Sequence, residues 1–503
     1  MANGGIIGTV NNPTSSTATG VWQQEEQYEA VRDGTWPQRA LFTTKSARFN
    51  SASSDYMTKS NSSTGSTTKA TISMWVKFSS VLTNQALWEN YSDGSNYLRL
   101  RYRSDASLAV QVDLSNSTDV LKITTRKFRD TSAWYHIVLA INLADGTQED
   151  KYILYINGVR ETSFSTNNNT ANTSGNYVGG GNGFNFTIGR HPSSDAYYDG
   201  YMSEYVFVDG QNLAPTSFGV ANSSGFWSPI PYAGTFGTNG FNLQFENAAA
   251  LGTDSSPNSN TFTVNNLTSI DQTTDYPEIN FATANPLNVN SGAVGTFTDG
   301  NLTIKVANST GSQFGSSSTI GASSGKWYCE VKIITVDSCM IGVTPSPSED
   351  ARNNRIPEGS SSSGSVGCLV GSGNKYVSGN GTTYGAATSA NGIMMIALDL
   401  DNLKVYFGSG GQWSNGSGAW NQSGLISGAA ISITAVASTA EGAYFFSFGD
   451  GGGSAKAKVS WDFGNAPYAI SSGNADANGY GNFEYAVPSG YYSLNTANLA
   501  EFG

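Results

Sequence analysis

Only two histidines, His136 and His191, occur among the 503 residues, so chemistry that needs an imidazole base must be built around one of them. His136 lies inside the alternating run WYHIVLAIN, where a hydrogen-bonded packing role outweighs a general base or a metal ligand. His191 precedes Pro192 in a loop and has no His or Cys at ligand spacing, so transition-metal binding finds no support. The run GASSG at 321–325 satisfies G-x-S-x-G. It precedes a strand, however, and lacks the strand-to-helix setting of a nucleophile elbow. Both histidines lie upstream of it, and a serine triad is not expected.

Glycoside cleavage would need two carboxylates aimed into a groove, about 5 Å apart for retention or wider for inversion. Asp399 and Asp401 are closely spaced, but they share one strand face just before a turn, where hairpin stabilisation or a solvated role prevails. No catalytic residue, cofactor-binding residue or metal ligand is therefore assigned, and a non-enzyme is expected. In NYLRLRYRSD, Arg99, Arg101 and Arg103 alternate with Leu98, Leu100 and Tyr102, which stacks three like charges on one strand face. Such a row needs acids from a neighbouring strand or subunit, a reading favoured over an acidic sugar. The loop 348–365 carries Arg352 and Arg355, and SGGQWSNGSGAWN carries Trp413 and Trp420. These four are the candidate ligand contacts, although solvated connections and core-anchoring indoles read equally well.

The elements that must position these residues are strands. Hydrophobic residues make up 38%, aromatics 12% and charged residues 13%, with 58 glycines, so the polar surface is built from Ser, Thr, Asn and Gly. The length suggests about three domains. A formal charge of -12 without any Lys or Arg run argues against nucleic acid. Apolar runs fall short of the roughly 18 residues of a membrane span. Cys329, Cys339 and Cys368 cannot all pair with one another, and MANGGIIGTV lacks the features of a signal peptide, so free thiols and synthesis in a reducing cytoplasm are expected.

Along the chain, 1–39 shows no sustained alternation and reads as an attachment arm, with Ile6, Ile7, Val21, Trp22 and Trp36 as its apolar contacts. From residue 40 the period becomes two: Ile72, Met74, Val76 and Phe78 oppose Ser73, Trp75 and Lys77. Asn157-Gly158 signals a hairpin. The stretch 40–219 predicts one antiparallel β-sandwich and 291–465 a second. Between them, 220–290 is Pro- and Asn-rich with aromatics, a packed linker, and 466–503 is an aromatic, irregular docking tail. The fold class expected is all-β.

The order SMWVKF, WYHIVLAIN, LYINGV, FTIG, YYDGYMSEYVFVDG resembles the laminin-G-like, concanavalin-like jelly-roll family over 40–219. GKWYCEVKI, GNGTTYG and ALDLDNLKVYFGSGGQW resemble a SPRY domain over 291–465. The arm GGIIGTVNNPTSSTATGVWQQEEQY and the linker ALGTDSSPNSNTFTVNN are similar to segments of virion structural proteins of marine tailed bacteriophages. No collagen-like or heptad shaft is present, which weighs against a long thin fibre.

These resemblances imply a virion appendage that is made in the host cytoplasm, held by its arm to other virion proteins, assembled as a homotrimer, and adhering to a bacterial surface glycan or receptor. A head or baseplate decoration protein and, less strongly, a glycan depolymerase are the alternatives. Laminin-G-like modules can hold calcium, and Asp93, Asp195 and Asp199 could supply oxygens. Turn formation beside Gly94 and Gly200 is the plainer role for Asp93 and Asp199, and no cofactor is assigned.

Overall fold

The period-two runs become stacked pairs of antiparallel sheets in a computed structural model. It describes residues 44–81, 83–169, 172–193, 196–222, 225–289, 295–307, 314–347, 357, 364–439, 441–451 and 456–503. Ile6, Ile7, Val21, Trp22 and Trp36 of the arm, and Arg352 and Arg355, lie outside the described residues.

The first sandwich starts with β1 (Ser46–Phe49), β2 (Tyr56–Ser60), β3 (Lys69–Phe78), β4 (Gln85–Asp93) and β5 (Asn96–Tyr102). It continues with β6 (Leu108–Leu114), β7 (Ser117–Thr124), β8 (Trp134–Asn142), β9 (Tyr152–Ile156), β10 (Val159–Arg160) and β11 (Phe164–Asn169). Then come β12 (Asn185–Ile188), β13 (Gly200–Asp209) and a small ribbon of β14 (Gly219–Ala221) with β15 (Trp227–Pro229). The stretch read as a linker supplies three more strands: β16 (Phe241–Leu243), β17 (Thr263–Asn265) and β18 (Gln272–Thr273).

Among the described residues one sheet runs β10-β9-β8-β3-β13-β1-β18, with β16 also paired to β13. The facing sheet runs β11-β7-β6-β5-β4-β12-β2-β17. Ile72, Met74, Val76 and Phe78 of β3 meet Leu98, Leu100 and Tyr102 of β5 in the core, each large apolar side chain contributing about 1.5–3 kcal/mol by leaving water. Asn157 (φ 49°) and Gly158 (φ 79°) close the β9–β10 hairpin with both central residues left-handed, the conformation of a type I′ turn. The other face of β3 is covered too. Ser73 binds His136, Trp75 stacks on His136, and Lys77 reaches Asp275.

The second sandwich stacks a seven-stranded sheet on a ten-stranded one among the described residues. Its core gathers Trp327, Val331, Ile396, Leu398, Phe407, Phe448 and Trp461. Cys329, Cys339 and Cys368 are free thiols buried there, and burial pushes all three well up from the ordinary thiol range.

The tail 466–503 is more regular than its composition suggests. Tyr492–Ser493 pairs in parallel with the strand Lys326–Thr335, and Thr496–Phe502 is a helix capped by the Asn495 side chain, which accepts from the Asn498 N–H. Phe502 stacks back on Tyr492. No helix among the described residues is long and apolar enough to cross a membrane.

Candidate functional site

Alternation along β4, β5, β6 and β12 sends every second side chain away from the core, and strand register aligns these side chains in rows. Thr187, Glu89, Arg99 and Gln111 form one row. Asn185, Tyr91, Tyr97 and Asp113 form the next, and Ala86, Arg101 and Ala109 lie on the other side. The loop following β12 folds over this face and brings His191 onto it.

The central side chains form one connected network. Gln111 Oε1 accepts from Arg99 NH2 at 2.7 Å and from Nε at 3.2 Å, and Gln111 Nε2 donates to Asp113 Oδ1 at 2.9 Å. Asp113 also accepts the Tyr97 hydroxyl, and burial together with that carboxylate pushes the phenol up to about 12. Arg99 NH1 lies 3.2 Å from His191 Nε2. A guanidinium has no lone pair to offer, so Nε2 must be the acceptor and the imidazole proton sits on Nδ1. That Nδ1–H donates to Glu89, 2.7–2.8 Å away. Glu89 is fully buried, and desolvation raises its carboxyl above the usual range while His191 and the arginines pull it back.

An aromatic rim continues from the network, with Tyr97 buried and Tyr56, Tyr91 and Tyr197 half-buried. Tyr91 and Tyr97 stack at 6.4 Å, and the Arg190 guanidinium lies 4.9 Å from the Tyr56 ring and 5.6 Å from Tyr197. Ser193, exposed at the edge, has its hydroxyl 2.9 Å from His191 Nε2. Two cavities border the same sandwich. One of about 230 Å³ is lined by Asn96, Leu114, Tyr177 and Phe184, and one of about 200 Å³ by Lys122, Arg160, Glu161 and Phe164.

The arginine row anticipated in β5 is present, and Glu89 is the neighbouring-strand acid it called for. The role of Glu89 was missed because two bulges in the β4–β5 pairing set which residue faces Arg99. His191, which has no His or Cys at ligand spacing, joins Glu89, Arg99 and Ser193, groups distant in sequence or on the same loop. His136 is fully buried and pushed down to about 3 by that burial; its Nδ1 accepts from Trp227 Nε1 at 2.8 Å, which leaves the proton on Nε2, facing Ser73.

The tryptophan candidates lie in the second sandwich. Trp413 is 5% exposed and packs with Tyr328 and Phe483. Trp420 donates its indole N–H to the Ala386 carbonyl at 2.7 Å and lies against Gly385, where any Cβ would strike the ring. Asp399 accepts from Asn402 and pairs with Lys326 at 3.2 Å, and Asp401 accepts the Gly325 N–H at 2.8 Å. Asp93 is exposed and caps its turn through the Ser95 N–H, Asp199 is buried, and Asp195 lies outside the described residues. No three His, Cys, Asp or Glu side chains converge to hold a metal ion among the described residues.

No curated protein sequence matches this chain. Among solved structures, a Bacteroides ovatus ATCC 8483 protein described as carbohydrate binding is 17% identical, with a TM-score of 0.32, over 46% of this chain and 60% of that one. The present chain thus spans less than two thirds of that protein. The heptameric SAP-like pentraxin of Limulus polyphemus is 14% identical, TM-score 0.27, over 35% of this chain and 80% of its own. The SPRY domain of human HERC1 is 13% identical, TM-score 0.26, over 35% of this chain and 96% of its own. Residues 51–212, which hold the whole network of Glu89, Arg99, Gln111 and His191, match the family model of the Concanavalin A-like lectin/glucanases superfamily.

Proposed function

We propose that the protein is a non-enzymatic adhesion appendage of a tailed-phage particle, and that the outer face of the β4–β5–β6–β12 sheet is its glycan-binding surface. The observation that carries this reading is the Glu89–His191–Arg99–Gln111–Asp113–Tyr97 network beside half-buried Tyr56, Tyr91 and Tyr197. Preset donors and acceptors flanked by aromatic rings suit a ligand that presents hydroxyls and one apolar ring face. The match of residues 51–212 to a superfamily of lectins and glucanases supports the same assignment. Placement on a virion is supported by the likeness of the arm and linker to marine-phage structural proteins.

Single sites on such a shallow face bind weakly, so useful adhesion comes from several copies acting together, for which a homotrimer is the simplest closed assembly. The arm 1–39 attaches the protein to its virion partners and the sandwiches face outward. No cofactor is required.

The test compares adsorption of particles with and without the protein, alongside binding of the purified multimer to host cells. Arm deletion is expected to abolish incorporation while leaving cell binding intact. Unchanged adsorption together with absent cell binding would favour a decoration role on the head or baseplate, and shortened host polysaccharide would favour a depolymerase.

A further inference from the structure

Arg101 is the one arginine of the β5 row without a hydrogen bond or ion pair to a described residue; buried Glu89 attracts it without touching it. Arg99 is held by Gln111 and His191, and Arg103 reaches Asp105 at 3.5 Å. Arg101 Nε is buried with no hydrogen-bond partner among the described residues, and no hydrogen bond or ion pair ties the guanidinium to any of them. Its neighbours across the sheet are the small, buried side chains of Ala86 and Ala109, and the Arg101 side chain is half-buried above them. Burial, then Arg99 and Arg103, push its pKa down to about 10, against a smaller pull from Tyr97 and Glu89 that favours the charge. A donor left unmet at a partly desolvated position costs stability, and a protein with a net charge of -12 has acids that could have met it. The sealed Nε is out of a ligand's reach, but the terminal guanidinium nitrogens are not among the sealed atoms and can meet an anion.

We propose that Arg101 anchors an oxyanion carried by a saccharide, either a uronate carboxylate or a sulfate ester, with the glycan running along β5 toward Tyr91 and Tyr97. This rests on the glycan-adhesion reading and names the class of glycan. Both oxyanions fit the planar fork of a guanidinium, which donates two parallel N–H bonds. Arg101 stands four positions beyond Tyr97, about 13 Å at the ordinary rise, a span an oligosaccharide covers. Arg99 and Arg103 add attractive potential from either side while keeping their own partners.

The test measures binding of the full chain to polygalacturonate, dextran sulfate and neutral dextran, together with host-cell binding, for the parent, Arg101→Leu and Arg101→Lys. The parent is expected to bind at least one charged polymer and to ignore neutral dextran. Arg101→Leu should weaken that binding about tenfold or more, and Arg101→Lys less, because it keeps the charge and loses the fork. Binding of polygalacturonate alone assigns the carboxylate, and binding of dextran sulfate alone assigns the sulfate. Arg101→Leu should also melt no lower than the parent, since it removes an unsatisfied cation. A leucine variant that unfolds or melts lower would make Arg101 a structural residue and overturn the proposal. Host-cell binding that survives Arg101→Leu undiminished, or equal binding of neutral and charged polymers, overturns the anion site and leaves the adhesion reading standing. A parent that binds neither cells nor polymers sinks both.

Discussion

Lys77 Nζ and Asp275 Oδ2 meet at 2.8 Å with both side chains fully buried. Lys77 also donates to Asn280 Oδ1 and to the Phe281 carbonyl, while Asp275 accepts the Trp134 indole N–H at 3.0 Å. Nearby, Arg48 donates to the carbonyls of Ile270 and Asn465. The first sandwich is thus fastened to the segment leading into the second by buried charge and not by a shared apolar core. Removing one partner of a buried pair strands the other, so Asp275→Ala should cost about 3–5 kcal/mol, whereas Lys77→Met combined with Asp275→Leu should recover most of the loss. Denaturant melts of the two variants decide this, and equal losses in both would show that the attraction itself, and not the orphaned charge, dominates.

The stability contributed by Asp199 and Asp55 should fall as pH rises from about 4 to about 7. Burial pushes Asp199 up to about 7 and Asp55 up to about 6, with Asp299 repelling both. A carboxyl whose folded pKa exceeds its unfolded one binds more protons in the native state, so its contribution is complete below the unfolded value and lost as pH climbs through the folded value. Asp199→Asn removes that titration and should raise stability by about 1–3 kcal/mol at pH 8 while changing little at pH 4. Thermal melts across this range test it. An advantage of Asp199→Asn over the parent that shrinks as pH rises would refute the sign.

His136 carries the opposite sign. Its burial holds the imidazole neutral down to about pH 3, so it favours the folded state above its unfolded pKa, and that support fades as pH falls from about 6.5 toward 3. Its structural task is to accept the Trp227 indole N–H and so fix the β14–β15 ribbon to the outer face of β3 and β8. His136→Phe fills the volume but offers no acceptor, and should cost about 1–3 kcal/mol with a shift in Trp227 emission. Unchanged stability would mean the indole finds another acceptor.

The sheets were legible because period-two runs such as ATISMWVKF name their buried face directly, and Asn157-Gly158 names its turn. The candidate site was less so. Counting back from the Asp93–Asn96 closure of the β4–β5 hairpin would set Arg99 opposite Asn90, on the wrong face; the bulge between Tyr91 and Asp93 shifts the pairing by one and brings Glu89 there instead. The coverage of Ser73, Trp75 and Lys77 depends on residues such as Trp227 and Asp275, more than 130 positions downstream in the chain for Ser73 and Lys77 alike, and local pattern carries no such information.

Glu89, His191 and Ser193 have the connectivity of orienting acid, base and nucleophile, with Nδ1 2.8 Å from the carboxylate and Nε2 2.9 Å from the hydroxyl. The position of Arg99 argues against hydrolysis. It donates into the same Nε2 lone pair at 3.2 Å, so the hydroxyl proton must compete for its acceptor. Accepting that proton would also set an imidazolium beside a guanidinium, a repulsion of about 4 kcal/mol at 4 Å in a surface-like dielectric, against which Glu89 offers one compensating charge. The arrangement suits a rigid binding face better than a proton shuttle. A fluorophosphonate probe is therefore expected to leave Ser193 unmodified, and Ser193→Ala should bind host cells as the parent does without altering the length of host polysaccharide. His191→Phe, by contrast, strands buried Glu89 and frees Arg99, and should lower both stability and cell binding. Covalent labelling of Ser193 that disappears in His191→Phe would overturn the non-enzymatic reading and make this face a hydrolytic centre.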